Sequence, residues 1–421
     1  MRMAQRIGLP DDGERLLDDL ETLAGLVDDS LPGWTRSALT DLDVDGRHWV
    51  LARMREAGLD AHIDAAGNVI GVLAGNGSGR GRIMTGSHTD TVLSGGRFDG
   101  NVGVASALEV ARSLRASGTT LAHDLVVIDF FNEEVNPHGL SCVGSRALTG
   151  ALTPAHLAAR NQEGTAFGDA LGGARVDPNR MHEAAMDLSD VIAYVELHVE
   201  QGPNLEAQGT QIGLVTDITG VAPFRSLFTG RQDHAGTTPM SVRRDAGCAA
   251  AGTVLAVETI ASEQETSRGT SGSITFTPDA VNVINETAEV WGEFRSPDGE
   301  WIAHARERLA QAAEAEGAKR GVGVELEWLP SEEPVPMSEP LLGIAGEVVA
   351  DLGLSHSRLY SGAGHDAAFM ALQVPTAMVF VPSQGGRSHC PEEFTESADI
   401  LAGAEVLLNT IVEISVRHAV R

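Results

Sequence analysis

The spacing of hydrophobic residues along the first third of the chain switches repeatedly between the period of a helix and the pattern of a buried strand. An opening helix is predicted within 14–26, where leucines recur at helical spacing: Leu16, Leu20, Leu23 and Leu26. Apolar runs then predict helix, strand, helix and strand in turn at 48–58, 82–87, 101–118 and 124–131. Strands that alternate with helices are typical of βαβ units, so we expect an α/β fold with a mostly parallel sheet.

The middle of the chain follows a different order. Residues 151–190 show only short helices and turns, and a strand returns at 193–202. From residue 218 onward the pattern predicts strand, helix, two strands, helix and strand, which is the order of the split ferredoxin-like motif.

Prolines at 330, 334 and 336 mark the end of this segment, after which the α/β pattern resumes. We therefore predict a discontinuous main domain, 1–217 with 336–421, that carries an inserted ferredoxin-like α+β domain at 218–335.

Composition narrows the classes of function. A length of 421 residues fits two domains. A net charge of −29 repels phosphate backbones and anionic lipid surfaces, so neither nucleic acid nor a membrane is expected as a partner. The three cysteines are widely spaced, which argues against a disulfide framework and a thiolate zinc site. The first residues lack an apolar leader, and we expect a cytoplasmic protein.

Polar residues able to bind metal follow several of the predicted strands. In open α/β sheets, ligands bind beyond the carboxyl ends of the strands. The residues found there are His88, Asp90, Asp99, Glu133, Glu134, Glu196, His198, Glu200 and His389. Buried carboxylates in such numbers are costly unless cations neutralise them. Imidazole together with carboxylate suits Zn²⁺, and also Mn²⁺, Co²⁺ or Ni²⁺.

The stretch "GSHTDTVLSGGRFDG" at 86–100 combines three of these residues with glycines. We interpret His88 as a metal ligand and Asp90 as the group that orients its imidazole. Asp99 is the natural bridge, because its two oxygens can serve one ion each. The glycines from Gly95 to Gly100 would let the backbone turn back toward the same ions.

Six motifs in order along nearly the whole chain carry a family resemblance: "GSHTDTVLSGGRFDG", "NEE", "ELHVEQGP", "DHAGTTPM", "SGAGHDA" and "SHCPEE". Together they resemble the M20 metallopeptidase clan. More closely, they are similar to its amidase/hydantoinase/carbamoylase branch, which comprises N-carbamoyl-L-amino-acid hydrolases, allantoate amidohydrolases and β-ureidopropionases.

The resemblance implies two divalent metal ions per subunit, with zinc as the first expectation. One ion would be held by His88, Asp99 and His198, and the other by Asp99, Glu134 and His389. Glu133 would be the general base that takes a proton from a water bridging the ions and passes it to the leaving nitrogen.

The resemblance also implies a role for the inserted domain as a lid and dimerisation module, and therefore a homodimer. His234 would reach the partner subunit's active site and stabilise the oxyanion, while Asn282 and Arg295 would bind the substrate carboxylate. Gln201, Gly364 and His365 would line the pocket, although His365 has an equal alternative as a structural cap for its loop. Cys390 is interpreted as a bystander beside His389.

The function implied is hydrolysis of the C–N bond of N-carbamoyl-L-amino acids or related ureido acids, small molecules with a free carboxylate. Two departures from the family pattern lie on the lid. Glu293 stands two residues before Arg295, where the family often has Asp, and Asn285–Glu286 stands where Pro-Gly is frequent. They keep open an N-acyl-L-amino-acid hydrolase or a dipeptidase of the same clan. A non-catalytic metal-binding protein is the third alternative, and the presence of Glu133 beside Glu134 argues against it.

Overall fold

The computed structural model describes residues 4–419. The chain forms two compact units, one from the chain up to Thr216 together with the chain from Pro336 onward, and the other from Asp217–Val335. The predicted division lay at 217/218 and 335/336. The roles assigned to the two domains remain predictions.

From residue 4, where the description begins, the N-terminal part of the first unit contains seven α-helices and six strands. The helices are α1 (Glu14–Ala24), α2 (Asp41–Glu56), α3 (Asn101–Ala116), α4 (Val143–Leu148), α5 (Pro154–Leu157), α6 (Phe167–Ala170) and α7 (Asn204–Gln208). The strands are β1 (Asp60–Ile63), β2 (Val69–Leu73), β3 (Arg82–His88), β4 (Asp124–Phe130), β5 (Val191–Val199) and β6 (Ile212–Ile218). Helix α2 begins earlier than its apolar run, because the hydroxyl of Thr40 accepts the backbone N–H of Asp43 and caps it there.

The second unit is an α+β structure with its own core. Its elements are β7 (Gly220–Thr229), β8 (Asp233–His234), α8 (Ala246–Ser262), β9 (Arg268–Thr277), β10 (Val283–Ile284), β11 (Thr287–Ser296), α9 (Gly299–Arg320) and β12 (Gly323–Trp328). The long strands form an antiparallel sheet in the order β12-β7-β11-β9. Buried side chains of α8 and α9 pack on this sheet around Phe224, Phe228 and Phe294.

The C-terminal part returns to the first unit. It contains β13 (Val335–Pro336), α10 (Glu339–Asp351), β14 (His356–Ser361), α11 (Asp366–Ala371), β15 (Thr376–Val381) and α12 (Ser397–Ala419). The strands of this unit form one nine-stranded sheet in the order β1-β2-β4-β3-β5-β15-β6-β13, with β14 paired to β6.

The sheet is mixed, which corrects the prediction of a mostly parallel one. Its central strands β4, β3, β5 and β15 are parallel. Toward the edges, β2 pairs antiparallel with β4 and with β1, and β6 pairs antiparallel with β15. The α/β expectation therefore holds, and the parallel arrangement is confined to the centre.

Helices cover both faces of the sheet. Successive side chains of a strand point to opposite faces of the sheet, so Leu197 and His198 of β5 contact the helices on different faces. Leu197 lies against Gly403 of α12, and the imidazole of His198 packs on that of His365 at the start of α11. Helices α12 and α11 therefore lie on opposite faces, and the parallel strands between them are buried on both.

The segment 151–190 contains only short helices and turns, as predicted. It is held by a small apolar cluster in which Phe167, Leu171 and Met181 pack with Phe131 and Val143. Within residues 4–419, none of the helices combines the length and the apolar character that crossing a membrane requires.

Candidate metal centre

The four parallel strands at the centre of the main sheet deliver polar residues to one edge. His88 is the last residue of β3, His198 lies near the end of β5, and Glu133 follows β4 by a short turn. His389 lies in the loop after β15. Because neighbouring parallel strands end at the same edge, these side chains meet there.

Two imidazoles and one carboxylate form the first group, made of His88, Asp99 and His198. Oδ1 of Asp99 lies 3.2 Å from Nε2 of His198 and 3.7 Å from Nε2 of His88. All three side chains are buried. Their donor atoms are close enough to surround a single cation.

The second group consists of Asp99, Glu134 and His389. Nε2 of His389 lies 3.1 Å from Oδ2 of Asp99 and 3.3 Å from Oε1 of Glu134. The side chain of His389 is 49% exposed, so this group opens to solvent where the first does not. The two groups share Asp99 through different oxygens.

The imidazoles of the first group are fixed by backbone carbonyls. Nδ1 of His88 lies 3.0 Å from the carbonyl oxygen of Asp90, and Nδ1 of His198 lies 2.9 Å from that of Val199. A ring whose Nδ1–H donates to a carbonyl presents the lone pair of Nε2, which is the usual second contact of a metal-binding histidine.

A glycine is required between the two imidazoles. Gly100 has a positive φ of 64°, and a Cβ atom at this position would lie 2.4 Å from the ring of His88. Any other residue would displace that ring or bend the turn that returns Asp99 to the site.

The charges of the cluster favour cations. Burial opposes ionisation of Asp99, but hydrogen bonds with His198 and His389 hold its pKa well below the usual value. Hydrogen bonds to Asp99 and Glu134 raise the pKa of His389 to about 11. Within residues 4–419 neither Asp99 nor Glu134 forms an ion pair with lysine or arginine. The donor set of imidazole and carboxylate therefore fits divalent ions such as Zn²⁺ or Mn²⁺.

Glu133 lies beside the first group without belonging to it. Its Oε2 is 3.7 Å from Nε2 of His88, and its Oε1 accepts a hydrogen bond from the thiol of Cys142 at 3.5 Å. Burial raises the pKa of the Glu133 carboxyl well above its usual value, and the negative charge of Glu134 adds to the shift. A carboxyl in this setting is suited to take up and hold a proton.

Asp90 makes contacts that the sequence does not suggest. Its Oδ1 accepts the backbone N–H of Glu133 at 3.0 Å, and its Oδ2 accepts that of Glu134 at 3.1 Å. The carboxylate also lies 3.6 Å from Nδ1 of His88, farther than the Asp90 carbonyl that contacts the same nitrogen. Asp90 thus holds the backbone of both glutamates in addition to facing the imidazole.

The predicted pocket residues of the first unit divide into two kinds. Nε2 of Gln201 donates to Oδ2 of Asp99 at 2.7 Å, so Gln201 joins the cluster directly. Gly364 is exposed on the turn before α11, whereas His365 is buried. His365 occupies the N-cap position of α11 but makes no capping bond. Nε2 of its imidazole lies 2.8 Å from the hydroxyl of Ser361, and the ring packs edge-to-face on that of His198.

The predicted lid residues lie in the second unit. His234 is exposed, and it adjoins Asn282 through a hydrogen bond from the backbone N–H of Ala235 to the carbonyl of Asn282. Arg295 lies near the end of β11, where its Nε donates to Oε1 of Glu293 at 2.6 Å. Their roles toward substrate remain predictions.

Two other glutamates, Glu196 on β5 and Glu200 after it, lie outside the two groups that share Asp99, although Glu196 forms a third group of potential ligands with His198 and His365. Glu196 accepts hydrogen bonds from Ser87 and Tyr194, each at 2.8 Å. Glu200 accepts the backbone N–H groups of Asn204 and Leu205 at the start of α7. Neither carboxylate is needed to complete the two cation groups.

Known proteins resemble this chain over nearly its full length. The sequence profile of peptidase family M20/M25/M40 matches residues 84–413. The chain is 37% identical over 403 residues to N-carbamoyl-L-amino acid amidohydrolase of Geobacillus stearothermophilus. The alignment covers 96% of this chain and 98% of that protein. It is 35% identical over 413 residues to ureidoglycolate hydrolase of Oryza sativa subsp. japonica, covering 96% and 85% respectively. A solved amidase of the hydantoinase/carbamoylase family from Burkholderia multivorans superposes with a TM-score of 0.86 at 34% identity, covering 96% and 98%.

Proposed function

Because the chain belongs to peptidase family M20/M25/M40, we propose that it is a dinuclear-metal amidohydrolase that cleaves the C–N bond of N-carbamoyl-L-amino acids or related ureido acids. The observation that carries this proposal is the position of Asp99, whose two oxygens face His198 and His389 separately. The relatives named above for carbamoyl amino acids and ureidoglycolate support the class of substrate.

The residues that would hold the ions are those of the two groups. His88 and His198 would bind one ion, Glu134 and His389 the other, and Asp99 both. When bound, such ions would polarise the substrate carbonyl and lower the pKa of water at the site.

Glu133 would perform the proton transfer. It would accept a proton from the attacking water and deliver it to the leaving nitrogen of the substrate. The raised pKa of its carboxyl, caused by burial, suits a group that must hold that proton between the two steps. Cleavage of a carbamoyl group then leaves a free amino acid, with carbamate decomposing to carbon dioxide and ammonia.

The second unit would bind the rest of the substrate. Arg295 and Asn282 would hold its carboxylate, because a guanidinium can make two parallel hydrogen bonds to one. His234 would act on the active site of a partner subunit in a homodimer.

A substrate panel tests the proposal. The protein is stripped with a chelator, restored with Zn²⁺, Mn²⁺ or Co²⁺, and assayed for ammonia release from N-carbamoyl-L-amino acids, N-carbamoyl-β-alanine and allantoate. N-acetyl amino acids and dipeptides, assayed for release of a free amino acid, are the controls. Ammonia that depends on the added ion and comes from a ureido compound is the expected result. Cleavage of the control compounds alone would transfer the function to an acyl hydrolase or dipeptidase, and turnover without any divalent ion would contradict the proposal.

A further inference from the structure

A buried glutamate outside the cation groups connects the loop that carries Asp99 with the loop that carries His389. Glu393 lies between β15 and α12 and is 2% exposed. Within the described part of the chain no lysine or arginine pairs with it. Hydrogen bonds alone therefore stabilise this carboxylate. Burial of a carboxylate without a cationic partner costs free energy, which indicates that the residue is kept there for a specific contact.

One oxygen of Glu393 holds the backbone of the shared ligand. Oε1 accepts the N–H of Phe98 at 2.8 Å and the N–H of Asp99 at 3.0 Å. These two peptide groups determine the direction in which the Asp99 side chain leaves the loop. The bond therefore orients the carboxylate that faces both cation groups.

The other oxygen holds the loop that carries His389. Oε2 accepts the hydroxyl of Ser388 at 2.5 Å, and the same hydroxyl lies 3.0 Å from Oδ2 of Asp99. His389 follows directly and has a φ of 55°, a left-handed conformation that is unfavourable for a residue other than glycine. Contacts that fix the neighbouring Ser388 help to hold this conformation.

The glycine loop makes room for the carboxylate. A Cβ atom at Gly96 would lie 2.0 Å from Cδ of Glu393, so a side chain at position 96 and the observed position of Glu393 exclude each other. The glycine-rich stretch thus serves a contact with a residue close to the other end of the chain.

We propose that Glu393 is a positioning residue that fixes the distance between Asp99 and His389 and thereby controls the affinity of the second cation group. The inference rests on the proposed dinuclear centre. Glu393 belongs to neither cation group, and it acts through the backbone of Asp99 and the hydroxyl of Ser388.

The test measures Zn²⁺ binding to the metal-free full-length protein by titration calorimetry. The variants are Glu393→Ala, which removes both contacts, and Glu393→Gln, which keeps an oxygen for the amides of Phe98 and Asp99. Glu392→Gln is the matched control, because Glu392 is adjacent and 61% exposed, and pairs with Arg387 at the surface. Circular dichroism verifies that each variant is folded.

We expect two ions in the unmodified protein and in Glu392→Gln. In Glu393→Ala the second ion should bind about 10- to 100-fold more weakly while the first is retained, with a smaller loss in Glu393→Gln. Ser388→Ala should weaken the same ion even if Glu393→Ala does not fold. Selective loss of one ion distinguishes positioning from general destabilisation, which would weaken both.

Two results would overturn the inference, and only one of them would also overturn the proposed dinuclear centre. Two ions bound with unchanged affinity in Glu393→Gln and Ser388→Ala would remove the positioning role and leave the dinuclear centre intact. Fewer than two ions in the unmodified protein would remove the dinuclear centre and this inference with it.

Discussion

Oδ1 of Asp90 accepts the backbone N–H of Glu133 at 3.0 Å, while its other oxygen accepts the next amide in the chain. A residue two positions beyond β3 therefore fixes the turn that follows β4. This contact places Glu133, the proposed general base, and Glu134, a proposed ligand, relative to His88. A side chain that never reaches the substrate would still control the geometry of the reaction.

Replacing this carboxylate should reduce both activity and cation binding. In Asp90→Asn one oxygen remains to accept an amide, and the side-chain NH₂ opposes the other amide. We expect kcat and cation affinity to fall by about 10- to 100-fold, the usual effect of removing an outer contact of a metal site. Asp60→Asn, on the exposed start of β1, is the control and should leave both unchanged. Equal behaviour of the two variants would rule out the role of Asp90.

Removing the proposed general base should separate chemistry from cation binding. In Glu133→Gln we expect kcat to fall by about 100- to 10,000-fold, because the side chain can no longer take a proton. The number of bound ions should stay the same, as measured by elemental analysis of the dialysed protein. The neighbouring Glu134→Gln should instead lose an ion. Turnover that survives in Glu133→Gln would show that another group accepts the proton.

A buried carboxyl that belongs to neither cation group should make stability depend on pH. Burial raises the pKa of Asp129 to about 7, and its Oδ1 has no hydrogen-bond partner in the described part of the chain. The unfolded chain releases this proton near pH 3.9, whereas the folded state keeps it to about pH 7. Between these values the folded state binds more protons, so stability falls as pH rises, by at most about 4 kcal/mol.

The variant Asp129→Asn isolates this effect. Its amide does not titrate, and its oxygen can still accept the hydroxyl of Thr89, which contacts Asp129 at 3.0 Å. We expect the difference in Tm between Asp129→Asn and the unmodified protein to grow from pH 5 to pH 7 and then to level off. Thermal unfolding at constant ionic strength measures it. A difference that is flat with pH would show that Asp129 is ionised throughout.

Much of the fold and the members of the cluster could be predicted from the sequence. The long apolar runs that became β3, α3 and β4 are unambiguous, and polar residues at their ends collect at one sheet edge for topological reasons. The antiparallel edges could not be predicted, since β1 and β2 are short and periodicity carries no information about strand direction.

Glu393 shows why the remainder of the site escaped prediction. In the sequence it is the second of two adjacent glutamates, a pattern typical of a solvated surface. In the structure Glu392 is exposed, while Glu393 is buried against the backbone of Phe98 and Asp99. Glu393 is buried because it contacts the glycine-rich segment 95–100, which is almost 300 residues away along the chain. The pattern of neighbouring residues in the sequence carries no information about such a contact. Asp90 was predicted as a site residue, but its contacts with Glu133 and Glu134 escaped for the same reason, because these partners are backbone amides.

The central claim is that Asp99 is shared by two cations, and anomalous X-ray diffraction at the zinc absorption edge tests it most directly. Crystals of the Zn²⁺-loaded protein should show two anomalous peaks per chain, about 3.5–4 Å apart. One should lie about 2.0–2.2 Å from Nε2 of His88 and His198, the other equally near Glu134 and His389, with Asp99 between them. A single peak, or two peaks that do not share Asp99, would contradict the account.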